Sequence, residues 1–183
     1  HNQNCNPLKK YVFFICHSFQ MMVRFFDLAE VVKRHSKAFG IFTVHKTEAG
    51  QADPLFQGLA DPFYAADFRN WQVIQPNHRR LDALGAKILC KEKIRPHVPY
   101  ERAVMAVRLS PEMVGTQFHP ESDLTSIQWH LNHPDRKNGI IQRWGMDKYR
   151  ELQRLAKDAE ALKRTRRNII PGFIDSARRA LRA

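Results

Sequence analysis

An α/β sheet sandwiched between helices is the architecture this sequence predicts, and three observations predict it. A wholly apolar run, Tyr11 to Ile15, passes at once into a segment of helical periodicity. Several short strand candidates fill the middle of the chain, and helical patterning dominates its end. With 183 residues, 43% of them hydrophobic and 10% aromatic, the chain can bury one real core.

Each element is justified in turn. The run YVFFI suits a strand buried on both faces. From Ser18 to Val31, Met22, Phe25, Phe26 and Ala29 recur at helical spacing, so strand meets helix through the tight segment Cys16-His17-Ser18. Phe39 to Thr47 reads as extended. Asp53-Pro54 and Asp61-Pro62 then bracket a loop, PLFQGLAD. Strands are expected at Phe63–Asp67, Trp71–Gln75, Ala86–Lys91, Ala103–Leu109 and Met113–Phe118. Glu92, Lys93 and Arg95 before Pro96 read as a charged hairpin or loop. Helix returns at Leu124–Leu131 and again from Met146, and Pro171-Gly172 is expected to separate two terminal helices. The core is placed at residues 1–135, followed by a basic helical extension at 136–183.

Charge and cysteine usage narrow the setting. A formal net charge of +12 favours anionic partners, nucleic acid among them. However, Lys163, Arg164, Arg166 and Arg167 are interspersed with Asp158 and Glu160, as on solvated helix faces, so nucleic acid is not the preferred partner. Cys5, Cys16 and Cys90 are odd in number and irregularly spaced, which argues against a disulfide framework and for a reducing, cytoplasmic compartment. No apolar run approaches the ~20 residues that span a bilayer. The nine histidines include no HExxH pattern and there is no CxxC pair, so neither metal nor another cofactor is expected.

Two segments carry the chemistry. A cysteine at a strand-to-helix corner is held out at the sheet edge, where helix amide groups and their partial positive charge favour an anion. Cys16 occupies that corner. His119 ends an apolar strand, and Pro120 biases it toward extended backbone. Residues two apart in extended chain project to one side, so Glu121 can orient one imidazole nitrogen while the other faces a thiol.

Together, FICHSFQ (14–20) and GTQFHPE (115–121) resemble the class I, or triad, glutamine amidotransferases, whose elbow reads G-x-C-x-G-x-Q and whose second motif is close to G-x-Q-F-H-P-E. Among these, the chain is most similar to the GMP synthase-like group. The resemblance spans roughly Tyr11 to His130. It implies a flavodoxin-like three-layer sandwich with a mostly parallel sheet. It also implies a Cys16–His119–Glu121 triad that hydrolyses glutamine through a thioester, with ammonia passed to an acceptor or a synthetase partner. The backbone amide of His17 would supply an oxyanion donor, and Gln20 would lie close to substrate. No GxxxxGK[ST] loop is present, so synthetase activity would reside elsewhere.

The departures carry expectations of their own. Phe14 and Ser18 replace both elbow glycines, so the turn is expected to be reshaped. Family members place sheet before the nucleophile strand, whereas ten residues precede Tyr11, so an N-terminally incomplete version of a longer enzyme is expected. Two alternatives remain open. Homoserine acyltransferases resemble this fold with an elbow like FICWGAQ, and a catalytically inactive basic binding module would use the charge alone.

Overall fold

The computed structural model describes residues 10–95, 101–156 and 159–182. Cys5, Pro96, His97 and Asp158 lie outside the described residues. Among the described residues, six strands form one sheet in the order β1-β6-β5-β4-β2-β3. The strands are β1 (Val12–Ile15), β2 (Ala29–Lys46), β3 (Phe63–Pro76), β4 (Lys87–Glu92), β5 (Val104–Arg108) and β6 (Met113–Thr116). Helices α1 (His17–Phe25), α2 (Glu48–Ala52), α3 (His78–Leu84), α4 (Leu124–Asn132), α5 (Pro134–Leu155) and α6 (Ala159–Arg182) cover its two faces.

Alternation along the strands sorts the core into layers. Phe14 packs with Phe19, Val23 and Val107 beneath α1, while Phe13 packs on the opposite side with Phe118, Phe56 and Ile169 of α6. A third cluster joins Ile41 and Ala66 of the sheet to Ile127, Tyr149 and Leu152 of α4 and α5. The helices that follow residue 135 are therefore packed on the sheet. Thr165 of α6 donates its hydroxyl to the Tyr64 carbonyl at 2.6 Å.

The layered α/β plan is as expected, but the sheet is mixed and not mostly parallel. Of its five strand pairings, β1–β6 is parallel and the other four are antiparallel. Parallel neighbours need a crossover of a dozen or more residues. Strands β5 and β6 are joined by four residues, 109–112, which can only turn the chain back. β1 is also half-buried, not enclosed, because it lies at the sheet edge with β6 as its partner among the described residues.

Three local differences have physical causes. Helix α1 stops at Phe25, well short of Val31. Asp27 adopts a left-handed φ of 55°, the Leu28 amide donates to the Val23 carbonyl, and the Asp27 amide donates to that of Arg24. This is a Schellman ending, sealed by contact between buried Val23 and Leu28. The extended stretch then begins at Ala29, and the two strands expected between Phe63 and Gln75 are one strand, β3. Finally, Pro171 interrupts no helix. Ile169 before it is fully buried, Phe173 after it meets the Phe13 ring at 5.1 Å, and α6 runs through. The break lies instead at Gly145 within α5, whose φ of 84° and ψ of 165° are not helical.

Candidate active site

Cys16 stands between β1 and α1 with φ 51° and ψ −100°. A side chain in this backbone region is costly and persists only where its surroundings impose it. Here they do. The Cys16 amide donates to the Thr116 carbonyl at 2.8 Å, and the Cys16 carbonyl accepts from the Gln20 amide at 3.1 Å. Ser18 closes the turn, since its hydroxyl accepts from the Ile15 amide at 2.7 Å and donates to the Ile15 carbonyl at 2.9 Å. A glycine at 18 could make neither bond. The reshaping expected from the missing glycine is thus a hydroxyl clasp. The other replacement, Phe14, faces Gly115 across the β1–β6 ladder. A β-carbon built at Gly115 would lie 2.8 Å from the Phe19 ring and 3.0 Å from Phe14 Cβ, so this glycine gives α1 and Phe14 their room.

The second segment reaches the same place from β6. His119 leaves the strand by donating its amide to the Ala66 carbonyl of β3 at 2.8 Å, and its ring lies 5.7 Å from that of Phe68. Nδ1 of His119 is 2.7 Å from Oε1 of Glu121, which leaves Nε2 as the ring nitrogen for another partner. Cys16 is the other neighbour that favours the charged form of the ring. Burial disfavours charge on the ring. The influence of Cys16 and Glu121 outweighs it, and the His119 pKa is pushed up to about 10.

Beneath the thiol lies a residue that the sequence reading passed over. Gln117 is fully buried, and its Nε2 points at Cys16 Sγ from 3.8 Å. Its Oε1 accepts from Gln20 Nε2 at 3.0 Å. The resemblance puts Gln20 near substrate, whereas this side chain is buried under the elbow and is bonded to Gln117. The signal for Gln117 was present, inside the intact GTQFHPE. The His17 side chain is exposed, and its backbone amide, at the first position of α1, has no acceptor within the helix.

A cavity of about 470 Å³ opens over Cys16 and His119, walled by Phe39, Phe68, Asn70 and Arg136 among others. Trp71 is 48% exposed and does not line it, whereas its neighbour Asn70 does. A larger cavity of about 530 Å³, between Tyr11, Pro54 and Phe173, is away from these side chains. Among the described residues, no three His, Cys, Asp or Glu side chains gather as metal ligands, and no helix is long and apolar enough to cross a membrane. A cysteine and a histidine that open on one cavity, with a carboxylate bonded to the histidine, are groups suited to nucleophilic acyl chemistry.

Comparison with known proteins agrees on the frame. The family model for "Glutamine amidotransferase class-I" matches residues 3–132. No protein of curated function matches the chain. A glutamine amidotransferase from Methylobacillus flagellatus is similar in structure, with TM-score 0.63 and 16% identity over 91% of this chain and 63% of that one. A glutamine amidotransferase from Thermotoga maritima gives 0.59 and 16% over 92% and 61%. A candidate GMP synthase component from Thermoplasma acidophilum gives 0.55 and 16% over 93% and 58%. At these identities the likeness speaks for the fold, and the chain spans about 60% of the length of those proteins. With the family model covering most of its residues, the chain belongs to the class I glutamine amidotransferases.

Proposed function

We propose that this chain hydrolyses the side-chain amide of glutamine through a thioester on Cys16. Cys16 Sγ attacks the amide carbon, and the carbonyl oxygen takes up negative charge in the tetrahedral intermediate. The amide of His17, at the N-terminus of α1, faces that developing charge. Imidazolium His119 gives its proton to the departing nitrogen, and ammonia leaves. Now neutral, His119 takes a proton from water, whose oxygen attacks the thioester carbon. Collapse expels the sulfur, releases glutamate and returns His119 to its charged form with the thiolate. Glu121 holds the ring orientation and its positive charge throughout. Gln117, steadied by Gln20, positions the sulfur.

The observation that carries this reading is Cys16 at an elbow held in a costly backbone conformation, opening on one cavity with a His119 ring that Glu121 meets at 2.7 Å. Ammonia would pass to an acceptor or to a synthetase partner, as the resemblance to the GMP synthase-like group implies. A cytoplasmic setting suits a catalytic thiol. Ammonia release from glutamine, compared between the wild type and Cys16→Ala, tests the proposal. Loss of release in the variant is expected, and equal release from both would remove Cys16 from the mechanism.

A further inference from the structure

Beside the glutamine cavity lies a second compartment of about 210 Å³, and the two share Lys37 and Phe39 as walls. Five cations and one carboxylate line it, among the described residues. The carboxylate, Glu92, is already saturated. Arg34 and Arg69 reach one of its oxygens at 3.0 and 3.3 Å, and Arg95 reaches the other at 3.0 Å. Arg69 also holds Asp67 at 2.8 Å, so three guanidiniums share two buried carboxylates and the network keeps a surplus positive charge. Lys37 and Lys93 have no carboxylate partner among the described residues. Their ammonium groups lie 5.6 Å above the Phe39 ring and 5.2 Å above the Phe42 ring. Lys148 also sits over Phe42, at 5.9 Å, and pairs with the exposed Glu151 outside the compartment. The compartment therefore has uncompensated cations on a floor that contributes no free negative charge.

Its remaining walls include three aromatic rings, Phe39, Phe42 and Trp144. The Phe39 and Trp144 rings lie within 20° of parallel with centroids 6.5 Å apart, and both are half-buried. Parallel aromatic faces offer stacking to a planar ring, while ammonium groups beside them attract an oxyanion. Neither feature alone selects a ligand; a ligand with both a ring and a phosphate satisfies the two together.

We propose that this compartment binds a phosphorylated aromatic small molecule of the mononucleotide class, with its phosphate at Lys37, Lys93 and Lys148 and its ring against Trp144 and Phe39. Binding here does not require the chemistry at Cys16, so the two proposals fail separately.

The four common nucleoside 5′-monophosphates are titrated into the intact protein by calorimetry at about 0.15 M ionic strength, where long-range charge effects are screened. Saturable 1:1 binding of at least one is expected. The matching nucleoside, which lacks the phosphate, and ribose 5-phosphate, which lacks the ring, should each bind roughly tenfold more weakly or worse. Lys93→Glu should weaken the nucleotide by at least about tenfold, and Lys93→Gln by less, at unchanged melting temperature. Lys163→Glu, on the basic face of α6, should leave binding as it is. Absence of saturable binding overturns the proposal. So does equal binding by Lys93→Glu, an equal loss in Lys163→Glu, or equal binding of ribose 5-phosphate. Binding of a single-stranded oligonucleotide without any mononucleotide binding would assign the charge to a polymer and overturn it as well.

Discussion

Glu121 lies 2.7 Å from His119 while 48% of its side chain remains in solvent, so Glu121→Gln removes a charge and leaves the shape. With its pKa pushed up to about 10, His119 is expected to hold its proton until pH rises through that value. Its donor form is lost above that value, and kcat/KM for glutamine should fall on the alkaline side. In Glu121→Gln that alkaline limb should move to lower pH, with a drop of roughly 10²-fold or more at the optimum, as measured by ammonia release across pH. An unmoved limb would separate Glu121 from His119. The same shift has a stability consequence of fixed sign. The folded-state pKa is raised, so the contribution is whole below about 6.5, the ordinary histidine value, and is lost as pH rises through about 10. Gln117 gives a complementary test. Gln117→Leu strips Gln20 of its acceptor inside the protein, and a loss of about 1–3 kcal/mol in denaturant unfolding is expected, together with slower turnover.

At the scale of elements, the elbow depends on how closely α1 approaches β6. Gly115→Ala would place a methyl against Phe19 and Phe14, and α1 must lift or tilt to accept it. Overpacking of this kind costs about 1–3 kcal/mol. Because α1 begins at the residue after Cys16, Gly115→Ala should lower kcat more than its melting temperature suggests, as paired kinetics and thermal unfolding would reveal. What could be read from sequence divides along the same line. The strand-to-helix corner and GTQFHPE were legible because their residues are contiguous and their chemistry is local. The end of α1 was not, since Ala29 and Val31 continue the helical period that Asp27 and Leu28 break through a backbone turn. The cavity walls were invisible too. Phe39, Phe68 and Asn70 reach Cys16 only because β2 and β3 bring residues far apart in sequence together.

Across the whole molecule, the long helices and the sheet share one interior. Ile169 of α6 is fully buried among Phe56, Phe63 and Phe118, so Ile169→Ala should cost about 2–5 kcal/mol in denaturant unfolding although it lies far along the chain from every candidate catalytic residue. An unchanged midpoint would mean that α6 rides on the surface as a separable extension. The mixed topology of the sheet could not be read from the strand candidates, because pairing partners are set by connection lengths and twist and not by the residues within each strand.

The first described strand and the last helix meet directly, with Tyr11 and Phe13 both edge-on to the Phe173 ring. More than 150 positions of chain must therefore emerge during translation before that aromatic clasp can shut. Contacts so distant along the polypeptide slow folding, because the intervening loop must be closed before they are made. The corner that carries Cys16 is thus made well before α6, and one side of its supporting strand stays uncovered until α6 arrives.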